Sequence, residues 1–339
     1  MREQAALGVV LLPFLVAASA GPAQDDGSTV FRFQDPAIVE ASGLVVEDGL
    51  FVTTNDSGDS GRVFAVEPDT GATSGVTSWS SDPEDVEALA PAGPGEVWVG
   101  DIGDNLEQRS SIRVTRIPVG RGDRSASGTS YDLVLPGGAH DAETLLSHPE
   151  SGRLFVATKD IFGPSMFAAP GNLSPDRPNR MKRLGPTLAL ATDGAFFPDG
   201  RHLLVRNYQQ AVVYTFPGLE RVGSMTLPSQ QQGEAIAVAA DNRVYVTSEG
   251  RRQAVLEVVM PEAVREQVAA GRGDDEPTTG PTTGPTPKPR NELPEEAARP
   301  SRDPWQWVLG AGLFVVAVVV LLLAVRPGAA AASRRPPRG

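Results

Sequence analysis

Short apolar runs of strand length alternate with turns rich in Gly, Pro, Asn and Asp throughout residues 21–260. The runs are too short for amphipathic helices and are bounded by turn-forming residues, so this region is predicted to be all-β. They fall into five successive sets, which recur at roughly the 40 to 50 residues typical of a propeller blade. The first runs of the five sets read EASGLVV, DVEALA, DAETLL, ATDGAFF and QGEAIAV.

These sets predict a single five-bladed β-propeller. The first four sets contain a weaker fourth run, whereas the fifth has none before residue 260. The run TVFRF at 29–33 is predicted to supply the missing strand, because a propeller closes when one terminus completes the last blade and removes its exposed edge. A six-bladed ring is the alternative, with a degenerate blade within residues 104–141.

The two ends of the chain predict export and anchoring. Residues 1–20 read as a cleaved secretory signal peptide, with Arg2, an apolar run and then an Ala-Ser-Ala cleavage site. Residues 305–325 carry no charge and would span about 30 Å as a helix, which is the thickness of a bilayer core. The basic tail at 326–339 is predicted to be cytoplasmic.

Between the propeller and the anchor, residues 261–272 are predicted to form a short helix or tail. Residues 273–303 are rich in Pro and Thr and predict an extended linker that cannot fold by itself. The chain is therefore expected at the cell membrane, as a single-pass protein with an extracellular propeller at 21–260 and a cytoplasmic C-terminus.

Composition narrows the chemistry of this extracellular region. The chain has no cysteine and three histidines, which excludes disulfides and thiolate chemistry and argues against a His-rich zinc site. The formal net charge of −12 makes nucleic acid an unexpected partner. Any metal site must therefore use oxygen ligands, which favour Ca²⁺ over Zn²⁺ or Cu²⁺.

Acidic residues recur at equivalent positions of the repeat. Ser42, Glu87, Glu143, Asp193 and Glu234 align at the start of the five first runs, and Glu40, Asp85 and Asp141 stand two residues earlier. The motif Asp-x-Gly-Asp follows the second run twice, at 56–59 and 101–104. First strands line the channel of a propeller and residues at i and i+2 share a face, so these side chains are predicted to converge on one rim.

A cation would relieve the repulsion among carboxylates crowded at such a rim. The candidate metal ligands are Asp56, Asp59, Asp85, Glu87, Asp101, Asp104, Asp141, Glu143, Asp193 and Glu234. Two other roles stay open at this point. The same side chains would also serve to bond backbone amides between blades, or act directly in catalysis.

The motifs SGLVV, TNDSGD, RVFAVEPDTG, VWVGDIGDN, DAETLLSHPESGRLFVATK and GEAIAVAADNRVYVTSEG resemble a family of secreted bacterial β-propellers. The family is described as phytase-like or esterase-like and is also labelled loosely as WD40-type; this chain looks like a membrane-anchored actinobacterial type of it. The resemblance covers most of residues 37–260. It implies a propeller fold and a calcium-lined acidic face that binds phosphate through the metal.

Two functions follow as hypotheses. The first is a membrane-tethered propeller that binds an extracellular protein, glycan or phosphorylated ligand at a Ca²⁺-dependent acidic rim. The second is a calcium-dependent phosphoester or ester hydrolase, in which metal polarises the substrate and Lys159, Arg109 or Arg206 holds the anion. No Gly-x-Ser-x-Gly motif is present, so a serine hydrolase triad is a poor third. The sequence leaves open whether the protein is an enzyme and assigns no catalytic residue.

Overall fold

The computed structural model describes residues 27–56, 58–80 and 83–270. The predicted signal peptide, linker, membrane span and basic tail lie outside these residues, so those expectations stay as predictions. Within the described part of the chain, no helix has the length and apolar character needed to cross a membrane.

The described residues form twenty-two strands and one helix. In chain order the strands are β1 Gly27–Arg32, β2 Ala41–Glu47, β3 Leu50–Asn55, β4 Arg62–Val66, β5 Thr73–Trp79, β6 Val86–Gly93, β7 Glu96–Asp101, β8 Ile112–Pro118, β9 Arg124–Ala126, β10 Thr129–Val134, β11 Ala142–Ser147, β12 Leu154–Thr158, β13 Ser165–Ala168, β14 Asn179–Arg180, β15 Lys182–Pro186, β16 Asp193–Phe196, β17 His202–Arg206, β18 Gln210–Thr215, β19 Arg221–Thr226, β20 Ile236–Val238, β21 Val244–Val246 and β22 Ala254–Val258. The helix is α1 Glu262–Ala270.

The strands form five sheets, and the predicted five-bladed all-β propeller is confirmed. In blade order the sheets run β2-β3-β4-β5-β9, β6-β7-β8-β10-β14, β11-β12-β13-β15, β16-β17-β18-β19 and β20-β21-β22-β1. The first strands of the blades contact one another in a closed cycle, β2 to β6, β11, β16, β20 and back to β2. These five strands therefore line a central channel, and the ring closes within residues 27–258.

The ring closes as predicted, because the N-terminal strand β1 supplies the fourth strand of the fifth blade. Strand β1 pairs antiparallel with β22, so that Phe31 stands opposite Val255. The aromatic rings of Phe31 and Phe51 lie 5.1 Å apart, which packs the closing strand against the first blade. Burial of Phe31 and Phe33 anchors a strand that would otherwise leave β22 as an open edge.

Residues 104–141 do not contain a sixth blade. They supply β8 and β10 to the second blade, and between these β9 pairs parallel with β5 of the first blade. The carboxylate of Asp123 fixes this crossing by accepting a hydrogen bond from the Val76 amide, 3.0 Å away. Strand β14 makes a similar parallel pair with β10, so each long outer connection seals the preceding blade.

Five hydrophobic clusters form the core, each between two neighbouring blades. The helix α1 extends the cluster between the fourth and fifth blades, since Val264 and Val268 are buried there. Gly223 in β19 permits this contact, because a Cβ at that position would stand 2.5 Å from a methyl carbon of Val264. The packing holds the blades at fixed positions around the channel and so sets the geometry of its two ends.

Candidate functional site

Each first strand begins at the same end of the channel. The five residues that the repeat aligned, Ser42, Glu87, Glu143, Asp193 and Glu234, all lie there, and none is more than 5% exposed. We use the name acidic mouth for these five residues together with Asp56, Asp85, Asp141 and Glu249. The repeat therefore placed these acids at one end of the ring, and the structure adds that their side chains are buried.

β-Bulges aim three of these side chains into the channel. At Ser42, Glu87 and Glu143 the first strand has one residue more than its partner, which bends the strand locally. The sequence argument had assumed a regular strand with residues i and i+2 on one face. Instead Asp85 and Asp141 precede their strands, and the third residue of this set, Glu40, is exposed.

Three carboxylates converge closely enough to share a cation. One oxygen from each of Asp56, Asp85 and Glu87 lies within 4.8 Å of the other two. Ser42 donates a hydrogen bond of 2.8 Å to the backbone carbonyl oxygen of Glu87 and thereby fixes the bulge. A site of hard oxygen donors with this spacing suits Ca²⁺, which takes carboxylate and hydroxyl oxygens.

Gly103 explains why the second Asp-x-Gly-Asp motif requires glycine. A Cβ on Gly103 would stand 2.4 Å from an Oδ2 of Asp85 and 2.8 Å from an Oε1 of Glu87. The carboxylates therefore pack directly on the backbone of this residue. Gly58 in the first copy has a different role, since its φ of +85° permits a left-handed turn with open space around it.

Lys159 occupies the other side of the mouth. Its ammonium pairs with Oε1 of Glu143, and its Nζ lies 5.6 Å from the centre of the Tyr208 ring. The second oxygen of Glu143, Oε2, is buried and has no hydrogen-bond partner among the described residues. The mouth thus contains a protein cation paired with Glu143 and a trio of carboxyl groups that includes Glu87.

Burial and mutual repulsion make these acids unusually weak. Desolvation, then the charges of Asp56 and Asp141, raises the pKa of Asp85 from 3.8 to about 6. Burial, then the charge of Glu234, raises the pKa of Glu249 to about 7. Burial is also the main reason that the pKa of Glu87 lies well above its usual range. A bound cation would favour the ionised forms and release protons.

Several predicted metal ligands instead hold backbone and arginine groups. Asp101 accepts hydrogen bonds from the amides of residues 84 and 85 and pairs with Arg109. Asp104 accepts hydrogen bonds from the backbone amides of residues 108 and 109, and Asp59 pairs with Arg62. These three carboxylates are occupied in shaping the loops around the mouth, which corresponds to the structural alternative.

Asp141 and Asp193 connect neighbouring blades. The Oδ1 of Asp141 accepts a hydrogen bond of 2.9 Å from the amide of Asp104 in the preceding blade. Asp193 accepts hydrogen bonds of 2.8 Å from the backbone amides of Gly194 and Ile236, and so joins the fourth blade to the fifth. Arg206 stands opposite Asp193 in the β16–β17 pair and is fully buried.

The cations proposed for an anion site all have partners. Lys159 pairs with Glu143, and Arg109 pairs with Asp101 and Glu84. Arg206 donates from Nη1 to the carbonyl oxygens of residues 235 and 247, while its Nη2 is buried without a hydrogen-bond partner among the described residues. The histidines also have local contacts: His140 lies beside Asp160, His148 contacts the carbonyl oxygen of Gly200 and His202 bonds Asp199.

Tyr208 is a mouth residue that sequence analysis did not single out. It follows β17 at the place where Lys159 and Asp160 follow β12, so alignment of the repeats contained the necessary signal. Burial and then the charge of Glu234 raise the pKa of its phenol. Tyr208 therefore adds an apolar ring with a polar end to an otherwise acidic site.

Comparison with known proteins finds many similar solved structures, among them the following two. Glutaminyl cyclase from Myxococcus xanthus is 12% identical, with a TM-score of 0.43, over 71% of this chain and 100% of that chain. A nidogen/laminin complex is 16% identical, with a TM-score of 0.39, over 62% of this chain and 73% of that chain. No family model and no curated protein match the sequence.

Proposed function

We propose that this chain is a membrane-tethered extracellular binding protein, and that its acidic mouth takes Ca²⁺ and holds a ligand or partner there. The observation that carries the proposal is the convergence of Asp56, Asp85 and Glu87, whose oxygens lie within 4.8 Å of one another. Three carboxylates this close repel one another when ionised, and a divalent cation offsets that repulsion.

The buried Glu143 supports the same proposal. Its unbonded Oε2 has lost contact with water and gains no hydrogen bond from the described residues, which costs free energy. A ligand that brings a donor or a cation into the mouth would recover that cost. The orphaned oxygen is therefore a second reason to place binding at this end of the channel.

Binding is favoured over phosphoester hydrolysis because the cations needed for an anionic substrate are already paired. Lys159, Arg109 and Arg206 each hold carboxylates or backbone carbonyls. A calcium-dependent hydrolase would instead use a cation held by Asp56, Asp85 and Glu87 to polarise the substrate. A screen of phosphomonoesters and carboxylic esters with and without CaCl₂ tests that alternative, and metal-dependent turnover lost in Glu87→Gln would establish it.

The cation is tested on residues 21–270, which contain every strand of the closed ring and the packed helix. Thermal melts would be measured after chelation and again with excess CaCl₂. A ligand at about a hundred times its Kd stabilises a protein by ~2.7 kcal/mol, which corresponds to a rise in Tm of roughly 5–10 °C for a domain of this size.

Glu87→Gln is expected to abolish that rise, because it removes one anionic ligand with little change of shape. Glu47→Gln is the matched control: Glu47 lies at the other end of the same channel and bonds the amide of Gly95. The control should keep the full response. Absence of a calcium response in the wild type, or an equal response in Glu87→Gln, would exclude the cation site.

The tether is a separate part of the proposal and rests on residues 305–325. The full chain is expected in the membrane fraction after an alkaline wash. A chain ending at residue 272 should be released into the medium. Recovery of the full chain in the soluble fraction would remove the anchor from the proposal without affecting the cation site.

A further inference from the structure

Two loops beside the acidic mouth expose large apolar side chains. Leu106, between β7 and β8, is 76% exposed, while Ile161 and Phe162, between β12 and β13, are 62% and 93% exposed. Single exposed apolar residues need no explanation. Here, however, three of the five large apolar side chains exposed in the described residues lie on two adjacent loops at one end of the ring.

Asp141 joins these two loops. Its Oδ1 accepts the amide of Asp104, two residues before Leu106, at 2.9 Å. Its backbone carbonyl oxygen accepts the amide of Lys159, two residues before Ile161, at 3.0 Å. Two residues span at most about 7 Å of chain, so both apolar groups start within reach of one short ligand segment.

The mouth between these loops holds more acidic than basic side chains. The carboxyl groups that interact electrostatically there are Glu40, Asp56, Asp85, Glu87, Asp141, Glu143, Glu234 and Glu249. Lys159 faces them, and Arg206 is buried against backbone carbonyls. One divalent cation leaves most of these carboxyl groups without a counter-charge, and a further positive group brought to the mouth would favour their ionised forms.

We propose that the acidic mouth and the exposed side chains of Leu106, Ile161 and Phe162 form a docking surface for a protein segment with a lysine or arginine beside apolar residues. The basic side chain enters the mouth towards the unbonded Oε2 of Glu143, and its apolar neighbours cover the loops. This inference rests on the proposed function, because it specifies the partner class for the same mouth.

A segment with both a basic and an apolar side chain fits this surface better than a cation or an apolar surface alone. An inorganic cation satisfies carboxylates and leaves the apolar side chains in water. An apolar surface covers the loops and meets unfavourable desolvation at the acidic mouth. A basic group flanked by apolar residues matches both features, and an arginine would also reach the face of Tyr208.

The test is a selection of short random peptides displayed on phage, using immobilised residues 21–270 with CaCl₂ present. Enriched peptides are expected to place Lys or Arg next to Leu, Ile, Phe or Trp. A synthetic copy of the best peptide should bind more weakly as NaCl rises, and should lose binding when its basic residue becomes glutamine. Failure to enrich any peptide, or enrichment of peptides without basic residues, overturns the proposal.

The protein variant is Leu106→Ser combined with Phe162→Ser, which is expected to weaken the selected peptide at least about tenfold. Val259→Ser is the matched control, because Val259 is 73% exposed and follows β22 at the opposite end of the ring. Equal affinity of the double variant and the control overturns the proposal. A dimer of the wild-type protein that is absent in the double variant also overturns the proposal. Binding to phosphatidylcholine vesicles that is lost in the double variant overturns it as well.

The double variant should keep the calcium-dependent rise in Tm, because both residues are exposed and neither supplies one of the three carboxylates. Loss of peptide binding with calcium stabilisation retained separates the docking surface from the cation site. If the wild type shows no calcium response yet binds the selected peptides, the cation proposal fails and the docking proposal stands.

Discussion

Replacing Lys159 with methionine removes a partly buried charge while keeping most of the aliphatic side chain. The ammonium pairs with Glu143, whose side chain is 4% exposed. Burial acts to lower the pKa of Lys159, but the charge and hydrogen bond of Glu143 outweigh it and hold that pKa above its ordinary value. The substitution therefore leaves a buried carboxyl group without its cation.

The cost follows from the energetics of buried ion pairs. Removing one partner of such a pair destabilises a protein by about 3–5 kcal/mol. Burial raises the pKa of Glu143, so this group can take up a proton and limit the loss. We therefore expect the lower end, about 3 kcal/mol, which lowers Tm by roughly 6–12 °C in a domain of this size.

The loss should depend on pH in a definite direction. Without Lys159 the pKa of Glu143 rises further, so the folded variant binds more protons than the folded wild type. The free energy of unfolding of the variant then falls faster than that of the wild type once pH passes about 8, the pKa of Glu143 in the wild type, and the difference between the two proteins grows above that pH. In mild acid Glu143 is protonated in both proteins, and the difference should nearly vanish.

The assay is urea unfolding of residues 21–270 in chelated buffer from about pH 6 to about pH 10. A double-mutant cycle adds Glu143→Gln and the combined variant, and we expect a coupling energy of about 2 kcal/mol above about pH 8. The combined variant should recover much of the lost stability because no charge is left unpaired. A destabilisation that is the same at all pH values, with coupling under about 0.5 kcal/mol, would refute this account.

Three further predictions concern the mouth and its support. Gly103→Ala should remove most of the calcium-dependent rise in Tm, because the added Cβ would stand 2.4 Å from Oδ2 of Asp85 and force this carboxylate to move. A calcium-dependent rise in Tm equal to that of the wild type would contradict this. Without calcium, the free energy of unfolding should fall as pH rises from about 4 to 7, because the folded state keeps protons on Asp85 and Glu249 that the unfolded state releases. After allowance for solvent screening, the change is roughly 1–2 kcal/mol per group. A free energy of unfolding that rises over this pH range in urea titrations would be inconsistent with the prediction. Arg206→Met should cost about 3–5 kcal/mol in urea unfolding, because it removes a buried charge that interacts with Glu234 and Asp193 and leaves the carbonyl oxygens of residues 235 and 247 without their donor; the exposed Arg243→Met should cost under about 1 kcal/mol, and equal costs would be contrary evidence.

The blade count could be predicted from the sequence because each blade is a local structure. Strands that follow one another in the chain pair with one another, so their apolar runs and turns recur in order. The closing strand was also predictable, since the fifth set lacked a fourth run. The outer strands β9 and β14 were not predicted, because they are short and pair with a blade other than their own.

The role of each acid could not be predicted in the same way. Asp56 and Asp101 occupy the same place in a repeated motif. Asp56 belongs to the trio of carboxylates, whereas Asp101 accepts hydrogen bonds from backbone amides and pairs with Arg109. The difference depends on which backbone amides and side chains surround each carboxylate. Those neighbours come from distant parts of the chain and have no signature in the local motif.

The sequence by itself determined the fold and the end of the channel where acidic residues gather, because both depend on a periodic pattern of apolar and acidic positions. Only the tertiary structure decided the site within that end. The bulges at Glu87 and Glu143 turn these side chains inwards, and the backbone at Gly103 packs against the carboxylates of the trio. Lys159 enters from the loop after β12 and neutralises one side of the mouth. The physical reason is that periodicity places a residue on a strand, whereas its charge state and partners depend on burial among residues far apart in the chain.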